Sequence, residues 1–460
     1  MLDPWDIYIR SIEGRQQDET EFSNITLPTK LYELASEYDI SFTPEEIVPS
    51  DPSYIKNIFN AAVDLLVDVG FYNESTGRII KFEESEIKHH LRLLPGEYTM
   101  GEGNEKCQVV KRGFESKRLP PIIGGPCGAP ISEEYYIPLM QSFAQEPCVR
   151  GLHTATLETI NGSEIKSNTT AEMIAARREI EMTREALRRA GRPGLSITGT
   201  MSASSSEGQC FGHAPEGLRS SDRLLVSLLN DMKVDWDVLK KSLYCQYNNL
   251  GIANCMAPLL GGYLGGPETT AIGLTAECIA SFLLLGGPCI YVTPPFDVVT
   301  GHQVFNEGIF AIGSMTAAMT QNTNALIQVY CGASSGMCTE RMIYETFAIG
   351  GTAVSAGSDA IQGAISCDAI HENEYSGMNS RILDGASSAF AGMSLKEANE
   401  FVVEFIKMYG GDNPSTFKPE PGKKFYECYD LRTNRPSKEF VDLWEGTKAK
   451  ISDMGLEVKE

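Results

Sequence analysis

Residues 169–198 read TTAEMIAARREIEMTREALRRAGRPGLSIT and place a long helix directly before a short apolar strand. Residues 171–190 have helical periodicity, Thr169 or Thr170 is a suitable N-cap, and Gly191 lies just past the last turn. The apolar run 195–198 predicts a strand that is buried on both faces. A helix that leads into a buried strand is typical of a parallel sheet, whose neighbouring strands are joined by helices.

The same alternation continues from residue 121 onward, with a strand about every 30–45 residues. Seven or eight such units favour a closed (β/α)8 TIM barrel over an open doubly wound sheet, and no G-x-G-x-x-G follows a strand. The predicted strands are 121–123, 149–152, 195–198, 243–247 with 252–255 close behind, 289–292, 325–330 and 353–355. The predicted helices between them include 171–190, 222–232 and 268–285.

The chain divides into three predicted parts. Residues 1–117 form an N-terminal helical cap with a small β element, because 54–69 and 83–94 are amphipathic and 78–82 has a short strand pattern. Residues 118–400 form the barrel. Residues 401–460 form a C-terminal helical extension, which packs on the barrel or on another subunit.

Composition excludes several classes of protein. A net charge of −22, from 61 acidic and 39 basic residues, disfavours nucleic-acid binding. The longest uncharged stretch, 278–296, is interrupted by glycines and prolines, and the first residues lack the pattern of a signal peptide. We therefore expect a cytoplasmic enzyme with no membrane association, whose 12 cysteines are reduced thiols.

In a barrel of this type the chemistry lies at the C-terminal ends of the strands. The longest connection, 199–217, follows strand 195–198 and carries Glu207, Cys210, His213 and Glu216. Loops of this length are usually functional, so this loop is expected to cover the mouth of the barrel, with Glu207 and His213 as candidate catalytic groups. The other strand ends contribute Cys255, Tyr263, Glu268, Phe296, Tyr330, Ser355 and Asp359.

Two of these features have a structural as well as a functional interpretation. Glu268 follows Pro267 at the start of a helix, where a carboxylate either stabilises the helix dipole or faces the cavity and pairs with a cation. Cys210, His213 and Cys255 have the chemistry of zinc ligands, but they lack the spacing of a structural zinc site. We predict no metal here, and the question stays open at this stage.

Several segments together resemble the monomethylamine:corrinoid methyltransferase family of methanogenic archaea. They occur in the family's order over roughly residues 25–457, and no one of them is a catalytic signature. They are DLLVDVGFY at 64–72 with RIIKF at 78–82, GGP at 124–126 with GAPISEE at 128–134, RAGRPG at 189–194, GGYLGG at 261–266, CTE at 338–340, GMNSR at 377–381 and GKKFYECYD at 422–430.

The resemblance implies a (β/α)8 barrel that transfers a methyl group from a methylamine to the Co(I) of a separate corrinoid protein. It also implies a hexamer, with no cofactor bound tightly to this chain and cobalamin or another corrinoid on the partner as methyl acceptor. In the family a pyrrolysine at the barrel mouth is thought to activate the amine. Matching the chain forward from Gly191 and back from Asn230 puts that position at Thr198, which has no imine.

This departure bears on the substrate that the resemblance implies. A quaternary ammonium compound needs no activation, since a neutral amine departs, and pyrrolysine-free relatives of the trimethylamine enzymes are thought to use such donors. Thr198 in place of a longer side chain is expected to leave room for one. The family acid that matches Cys255 is lost, and the family's glutamine is replaced near Tyr330. The candidate aromatic faces for a methylated cation are Phe211, Tyr263, Phe296 and Tyr330, with Glu268 and Glu207 complementing its charge.

Three functions remain open from the sequence. The first is a pyrrolysine-independent methyltransferase that moves a methyl group from a methylated amine to a corrinoid protein. The second is a zinc-assisted methyltransferase for a thiol or alcohol, with Cys210, His213 and Cys255 as ligands. The third is a barrel that binds a small molecule without turnover.

Overall fold

Eight parallel strands form a closed barrel in the computed structural model, which describes residues 1–213 and 217–459. Each strand pairs with the next along the chain, and the eighth pairs with the first. The predicted (β/α)8 barrel is therefore confirmed. The strands are β1 (Ile122–Gly124), β2 (Val149–His153), β3 (Ser196–Gly199), β4 (Arg223–Ser227), β5 (Gly251–Met256), β6 (Cys289–Val292), β7 (Leu326–Gly332) and β8 (Ala360–Ile365).

One helix follows each strand and completes the unit. The long helix predicted at 171–190 is present as α2, and the Thr169 side chain accepts a hydrogen bond from the backbone N–H of Ala171 as its N-cap. Pro267 is the first residue of α5, where its missing N–H costs no helical bond. The helices are α1 (Glu133–Ala144), α2 (Thr170–Arg189), α3 (Ser206–Phe211), α4 (Trp236–Tyr247), α5 (Pro267–Leu284), α6 (Asn306–Asn322), α7 (Glu340–Ser355) and α8 (Gly377–Phe390).

Three predicted elements are wrong. Residues 222–232 contain the strand β4 rather than a helix, because a short apolar run buried on both faces has no periodicity to distinguish the two. Residues 243–247 end the helix α4, whose N-cap Asp235 accepts from the backbone of Val238. Residues 353–355 end the helix α7, and the eighth strand begins only at Ala360.

The N-terminal region closes one end of the barrel. Its hairpin consists of Glu97–Met100 and Cys107–Val110. Met100 and Val109 of the hairpin pack against Ile123, Cys289 and Leu326, which lie in the N-terminal parts of β1, β6 and β7. The C-terminal end is therefore the mouth. The region's other elements are the helices Pro4–Glu13, Glu19–Glu21, Phe22–Thr26 (a π-helix), Leu27–Glu37, Pro52–Asp68, Glu84–Arg92 and Gly103–Glu105 (a 3-10 helix) and the strands Phe71–Asn73 and Arg78–Ile80.

Asp359 and Ser355 lie at this closed end and not at the mouth, contrary to the sequence prediction. The Asp359 carboxylate accepts hydrogen bonds from the backbone N–H groups of Arg112 and Ile327, and it forms an ion pair of 3.4 Å with Lys111. These contacts fasten the segment after the hairpin to the start of β8. Both residues precede the strand, so the misplaced eighth strand explains the error.

The C-terminal helices Leu395–Tyr409, Phe425–Cys428 and Lys438–Asp453 follow α8. Leu395–Tyr409 and Lys438–Asp453 pack against α7, and Phe405 and Trp444 both contact Phe347 of that helix. The remaining short strands are Thr159–Ile160, Ser163–Glu164, Lys233–Val234, Leu259–Leu260, Phe296–Asp297, Tyr429–Asp430 and Arg435–Pro436, with a 3-10 turn at Cys367–Ala369. In the described part of the chain, no helix is both long enough and apolar enough to cross a membrane.

The long connection after β3 follows the mouth only in its first half. Residues 200–205 continue from the C-terminal end of the strand, and α3 then packs between α2 and α4 on the outside of the barrel. The connection therefore supplies the third helix of the ring instead of covering the mouth throughout. Glu216, one of the residues noted in this loop, lies outside the described residues.

Glu277 of α5 gives the fold a testable pH dependence. Burial raises the pKa of this carboxyl from its ordinary 4.5 to about 8, although its Oε1 accepts from the backbone N–H of Met232 at 2.8 Å. The folded state holds the proton more tightly than the unfolded chain, so the Glu277 contribution to stability is complete below about pH 4.5 and decreases toward pH 8.

We expect Glu277→Gln to flatten the decline of the free energy of unfolding between pH 5 and 8, by at most about 1.4 kcal/mol per pH unit. Urea denaturation across this pH range measures the change. Glu185→Gln is the matched control, because hydrogen bonds from Arg188 and Arg189 lower the pKa of the partly exposed Glu185 to about 2. An unchanged pH slope in Glu277→Gln contradicts the assignment.

Candidate functional site

A buried arginine lies beside Thr198 inside the barrel. Arg223 begins β4 and is only 3% exposed, and its Nε donates to the Thr198 hydroxyl at 3.2 Å. Its Nη1 donates to the hydroxyl of Tyr98 in the closing hairpin at 3.0 Å, and its Nη2 donates to Oε1 of Gln328 in β7 at 3.2 Å. Since β4 and β7 are not neighbours, these bonds cross the barrel interior.

The polar network continues across the barrel to β2, β6 and β8. Gln328 contacts Nε2 of His153 at 3.2 Å, and Nδ1 of the same ring lies 3.2 Å from the Cys127 thiol. That thiol lies 2.8 Å from the hydroxyl of Tyr291, which donates to Oε1 of Gln362 at 2.8 Å. The interior of this barrel is therefore lined with polar side chains rather than filled with aliphatic ones.

The charges of this network do not cancel. Burial, and secondarily the charge of Arg223, lowers the pKa of His153 well below its ordinary value, so the imidazole is neutral at pH 7. Across residues 1–213 and 217–459, no carboxylate pairs with Arg223 or bonds to the network. The centre of the barrel therefore carries one net positive charge.

Two glutamates of α2 hold the backbone that follows Thr198. The Glu179 carboxylate accepts from the backbone N–H groups of Met201 and Ser202, at 2.6–2.9 Å. Glu172 accepts from the backbone N–H of Ser204 at 2.8 Å and from the Ser205 hydroxyl at 2.6 Å. The start of this loop is thereby fixed to the barrel wall.

The mouth is accessible to solvent along the upper part of β4, whereas the level of Arg223 and His153 is buried. On the same face of β4 as Arg223, Leu225 lies two residues further toward the mouth and is half-buried. Ser227 lies four residues further and is exposed. Cys255 lies opposite Ser227 in the register of β4 and β5 and is almost fully buried. Cys127, like Leu225, is only partly buried. A small ligand that enters the mouth therefore approaches the polar network from above.

The β6–β7 side of the mouth holds polar groups without partners. The Tyr330 hydroxyl and both amide atoms of Gln303 are buried and lie close to each other, but within the described residues they make no well-formed hydrogen bond. A side chain at Gly332 would lie 2.4 Å from the Tyr330 ring and 2.5 Å from the Gln303 amide, so glycine is required there. Other buried side chains of the chain also lack partners, so these groups mark a place where a ligand or water could bind only because they lie at the mouth.

A histidine and a carboxylate meet beside these groups. Nδ1 of His302 lies 2.7 Å from Asp368 Oδ2, and Ser334 donates to Oδ1 at 2.8 Å. The hydrogen bond with Asp368 raises the pKa of His302. Asp368 has a left-handed backbone (φ 47°), as do Cys367 and Ala369, and strain of this kind in non-glycine residues is concentrated at functional sites.

The structure brings three of the sequence candidates together inside the barrel. Thr198 is 1% exposed and bonds to Arg223. Cys255 lines the mouth, and the ring of Tyr330 lies 6.2 Å from that of Tyr291 in an edge-on arrangement. We expected Thr198, in place of a longer side chain, to leave open space beside it. The Arg223 side chain lies there instead.

Three other candidates lie on the outside of the barrel, around α3. Glu207 is 70% exposed and pairs with Lys240 of α4 at 3.6 Å. Phe211 is 42% exposed. Nδ1 of His213 lies 2.8 Å from the Tyr244 hydroxyl, and burial lowers the pKa of the imidazole. Glu207 and His213 thus contact α4, and neither has a hydrogen bond or ion pair with the polar network among the described residues.

The last three candidates lie at the rim near β5 and β6. The ammonium of Lys233 stands 5.7 Å from the ring centre of Tyr263. Glu268 lies in the first turn of α5 and raises the pKa values of Tyr54 and Glu307, for which burial is the larger cause. Phe296 is partly buried in a short strand pair with Leu259. The position of Glu268 fits the helix-dipole interpretation.

The zinc trio of the sequence analysis does not assemble in the described residues. Cys210 and His213 lie near α4, whereas Cys255 faces the barrel mouth. One other group of potential ligands lies close together after β8, within 4.8 Å: Cys367, His371 and Glu374. Lys424 already pairs with the Glu374 carboxylate at 3.0 Å, and Cys367 donates to it at 2.7 Å.

Sequence reasoning missed most of the network. Arg223 was assigned to a helix, and Cys127, His153, Gln328 and Gln362 were not singled out. A weak signal is present, because Gln328 and Tyr330 stand two residues apart in LIQVYCG at 326–332 and Gln362 interrupts the apolar run AIQGAI at 360–365. Period-two alternation inside a buried strand indicates a polar barrel interior.

Comparison with known proteins agrees with the barrel fold. A family model described as monomethylamine methyltransferase MtmB matches residues 2–456. The chain is 30% identical over 456 residues to monomethylamine methyltransferase MtmB of Methanosarcina mazei, and 29% identical over 455 residues to MtmB1 of Methanosarcina acetivorans, with 99% of this chain and 98% of each relative covered. It matches the crystal structure of Methanosarcina barkeri MtmB with a TM-score of 0.94 at 28% identity, with the same coverage.

The hydroxyl of Tyr291 supports the network from two sides and is open to a stability test. Tyr291→Phe removes one of the two contacts of the Cys127 thiol and the donor to Gln362 Oε1, so we expect a loss of about 1–3 kcal/mol in the free energy of unfolding, measured by urea denaturation. Tyr244→Phe, which removes a single bond to His213 outside the barrel, is the control and should cost less. Equal losses in the free energy of unfolding of the two variants would show that the network adds no more stability than an isolated hydrogen bond outside the barrel.

Proposed function

This chain belongs to the monomethylamine methyltransferase MtmB family and is a corrinoid-dependent methyltransferase, and we propose that it works without pyrrolysine on a quaternary ammonium donor. The methyl acceptor is the Co(I) corrinoid of a partner protein. The observation that carries the proposal is the pair Thr198 and Arg223, a hydroxyl and a buried cation where the family resemblance expects an amine-activating residue.

The chemistry explains why the donor has to change with the residue. Monomethylamine has a very poor leaving group unless its nitrogen is engaged, and a threonine hydroxyl cannot form an adduct with it. In a quaternary donor the carbon–nitrogen bond breaks with its electron pair on nitrogen, and a neutral tertiary amine departs. The methyl group bonds to cobalt, which passes from Co(I) to Co(III). The step consumes no proton and needs no covalent intermediate on the protein.

The residues of the chain then have to desolvate and orient the donor. The half-buried Leu225 and the aromatic rings of Tyr291 and Tyr330 offer apolar and π surfaces for methyl groups at the mouth. In the described part of the chain, the hairpin covers the N-terminal end of the barrel. We therefore place the corrinoid protein over the mouth, with the donor methyl directed outward to cobalt.

Purified protein mixed with Co(I) cobalamin should demethylate a quaternary ammonium compound and leave monomethylamine unchanged, as followed by loss of the Co(I) absorbance. A panel of methylated amines and sulfonium compounds identifies the donor. Substantial turnover of monomethylamine would refute the proposal, because it requires an activating group that Thr198 does not provide.

Thr198→Ala separates this mechanism from one in which the threonine reacts. The hydroxyl accepts one hydrogen bond from Arg223, worth about 1 kcal/mol, so kcat/KM for the quaternary donor should decrease at most about tenfold. Ser at this position keeps the hydroxyl and serves as the matched variant. A complete loss of activity in Thr198→Ala, with an unchanged melting temperature, would indicate a chemical role.

A further inference from the structure

The charge of Arg223 constrains the donor further. We propose that the barrel binds a methyl donor that carries a carboxylate, with the carboxylate on Arg223 and the methylated nitrogen near Tyr330. This inference rests on the proposed function, because it specifies the donor for the same site. It starts from the fact that Arg223 is a buried cation without a counter-ion in the described part of the chain.

A buried charge without a partner is costly, and proteins rarely keep one without a use. A guanidinium has five N–H donors, and Arg223 uses three of them, on the neutral oxygens of Thr198, Tyr98 and Gln328. Two donors remain without an acceptor in the described residues. A planar carboxylate is the group that a guanidinium binds best, through two parallel hydrogen bonds.

The same charge disfavours a simple cation beside Arg223. The neighbouring His153 is neutral, so nothing in the described network offsets Arg223. A quaternary ammonium ion without an anionic group would meet uncompensated repulsion, which is strong where water is excluded. A donor that carries both charges avoids the repulsion and neutralises the guanidinium.

The spacing of the interior side chains fits such a donor. Gln328 and Tyr330 face the interior from the same strand, two residues apart, which corresponds to about 7 Å along the strand. Gln328 marks the level of the guanidinium and Tyr330 the level of the aromatic rings. A hydrogen bond of about 2.9 Å and a link of one or two carbon atoms between carboxylate and nitrogen cover that span.

The first experiment compares two donors with the same trimethylammonium group. One is trimethylammonioacetate, which has a carboxylate, and the other is choline, which has a hydroxyl instead. Wild-type protein with Co(I) cobalamin should demethylate the first with a kcat/KM at least tenfold higher than the second. The products are dimethylaminoacetate and methylcobalamin. Equal use of both donors overturns the inference and leaves the proposed function standing.

The second experiment tests Arg223 directly. Arg223→Gln should raise KM for trimethylammonioacetate at least tenfold and remove the preference over choline. Arg188→Gln on the exposed surface of α2 is the matched control and should leave the preference unchanged. A purely structural arginine predicts an equal loss with both donors, and that result overturns the inference.

Binding to the wild-type protein decides the matter if Arg223→Gln does not fold or if no donor is demethylated. The tert-butyl analogue of trimethylammonioacetate keeps the carboxylate and replaces nitrogen by carbon. Calorimetry should detect its binding to the wild-type chain, and tetramethylammonium should bind at least tenfold more weakly. Binding without turnover of any donor refutes the proposed function alone, whereas stronger binding of tetramethylammonium refutes the carboxylate site.

Discussion

The pairing of β8 with β1, through Ile361 with Ile122 and Gln362 with Ile123, is the constraint on which the rest of the molecule depends. It closes the sheet and leaves no free barrel edge. Closure also fixes the stagger between strands, and the stagger determines which alternate side chains face the axis. Arg223, His153, Tyr291 and Gln328 meet across the axis for this reason, although they lie far apart in sequence.

A barrel interior that is this polar has consequences for its own stability. Each hydrogen-bonding group that faces the axis must find a partner from another strand, because little water reaches the level of His153. Most of these groups are satisfied by a chain of hydrogen bonds that connects each side chain of the network to the next one. Among the described residues, the hydrogen-bonding groups left over are two N–H groups of Arg223 and, on the mouth side, the side chains of Gln303 and Tyr330, where a ligand can supply the missing partners.

The fold was predictable from the sequence to a large extent, and the site much less so. Long helices with clear caps, such as α2 and α5, were placed to within one or two residues, and their spacing implied the barrel. Short buried strands were not: β4 lacks periodicity, and β8 lies only a few residues beyond α7. The candidates around α3 lie far from Thr198 because the chain turns away from the end of β3 to the outside of the barrel. Their closeness to Thr198 in the sequence does not predict the direction in which the loop runs.

The anchoring of the loop after β3 bears on how this position can change in the course of evolution. Glu179 and Glu172 hold the backbone just beyond Thr198 through its N–H groups, and these are present whatever side chain the chain carries. The path of the loop after β3 is thus held by contacts that the side chain at 198 does not make. Substitutions at this position can accumulate without loss of these contacts, and natural selection can then act on what the barrel binds while the scaffold stays the same.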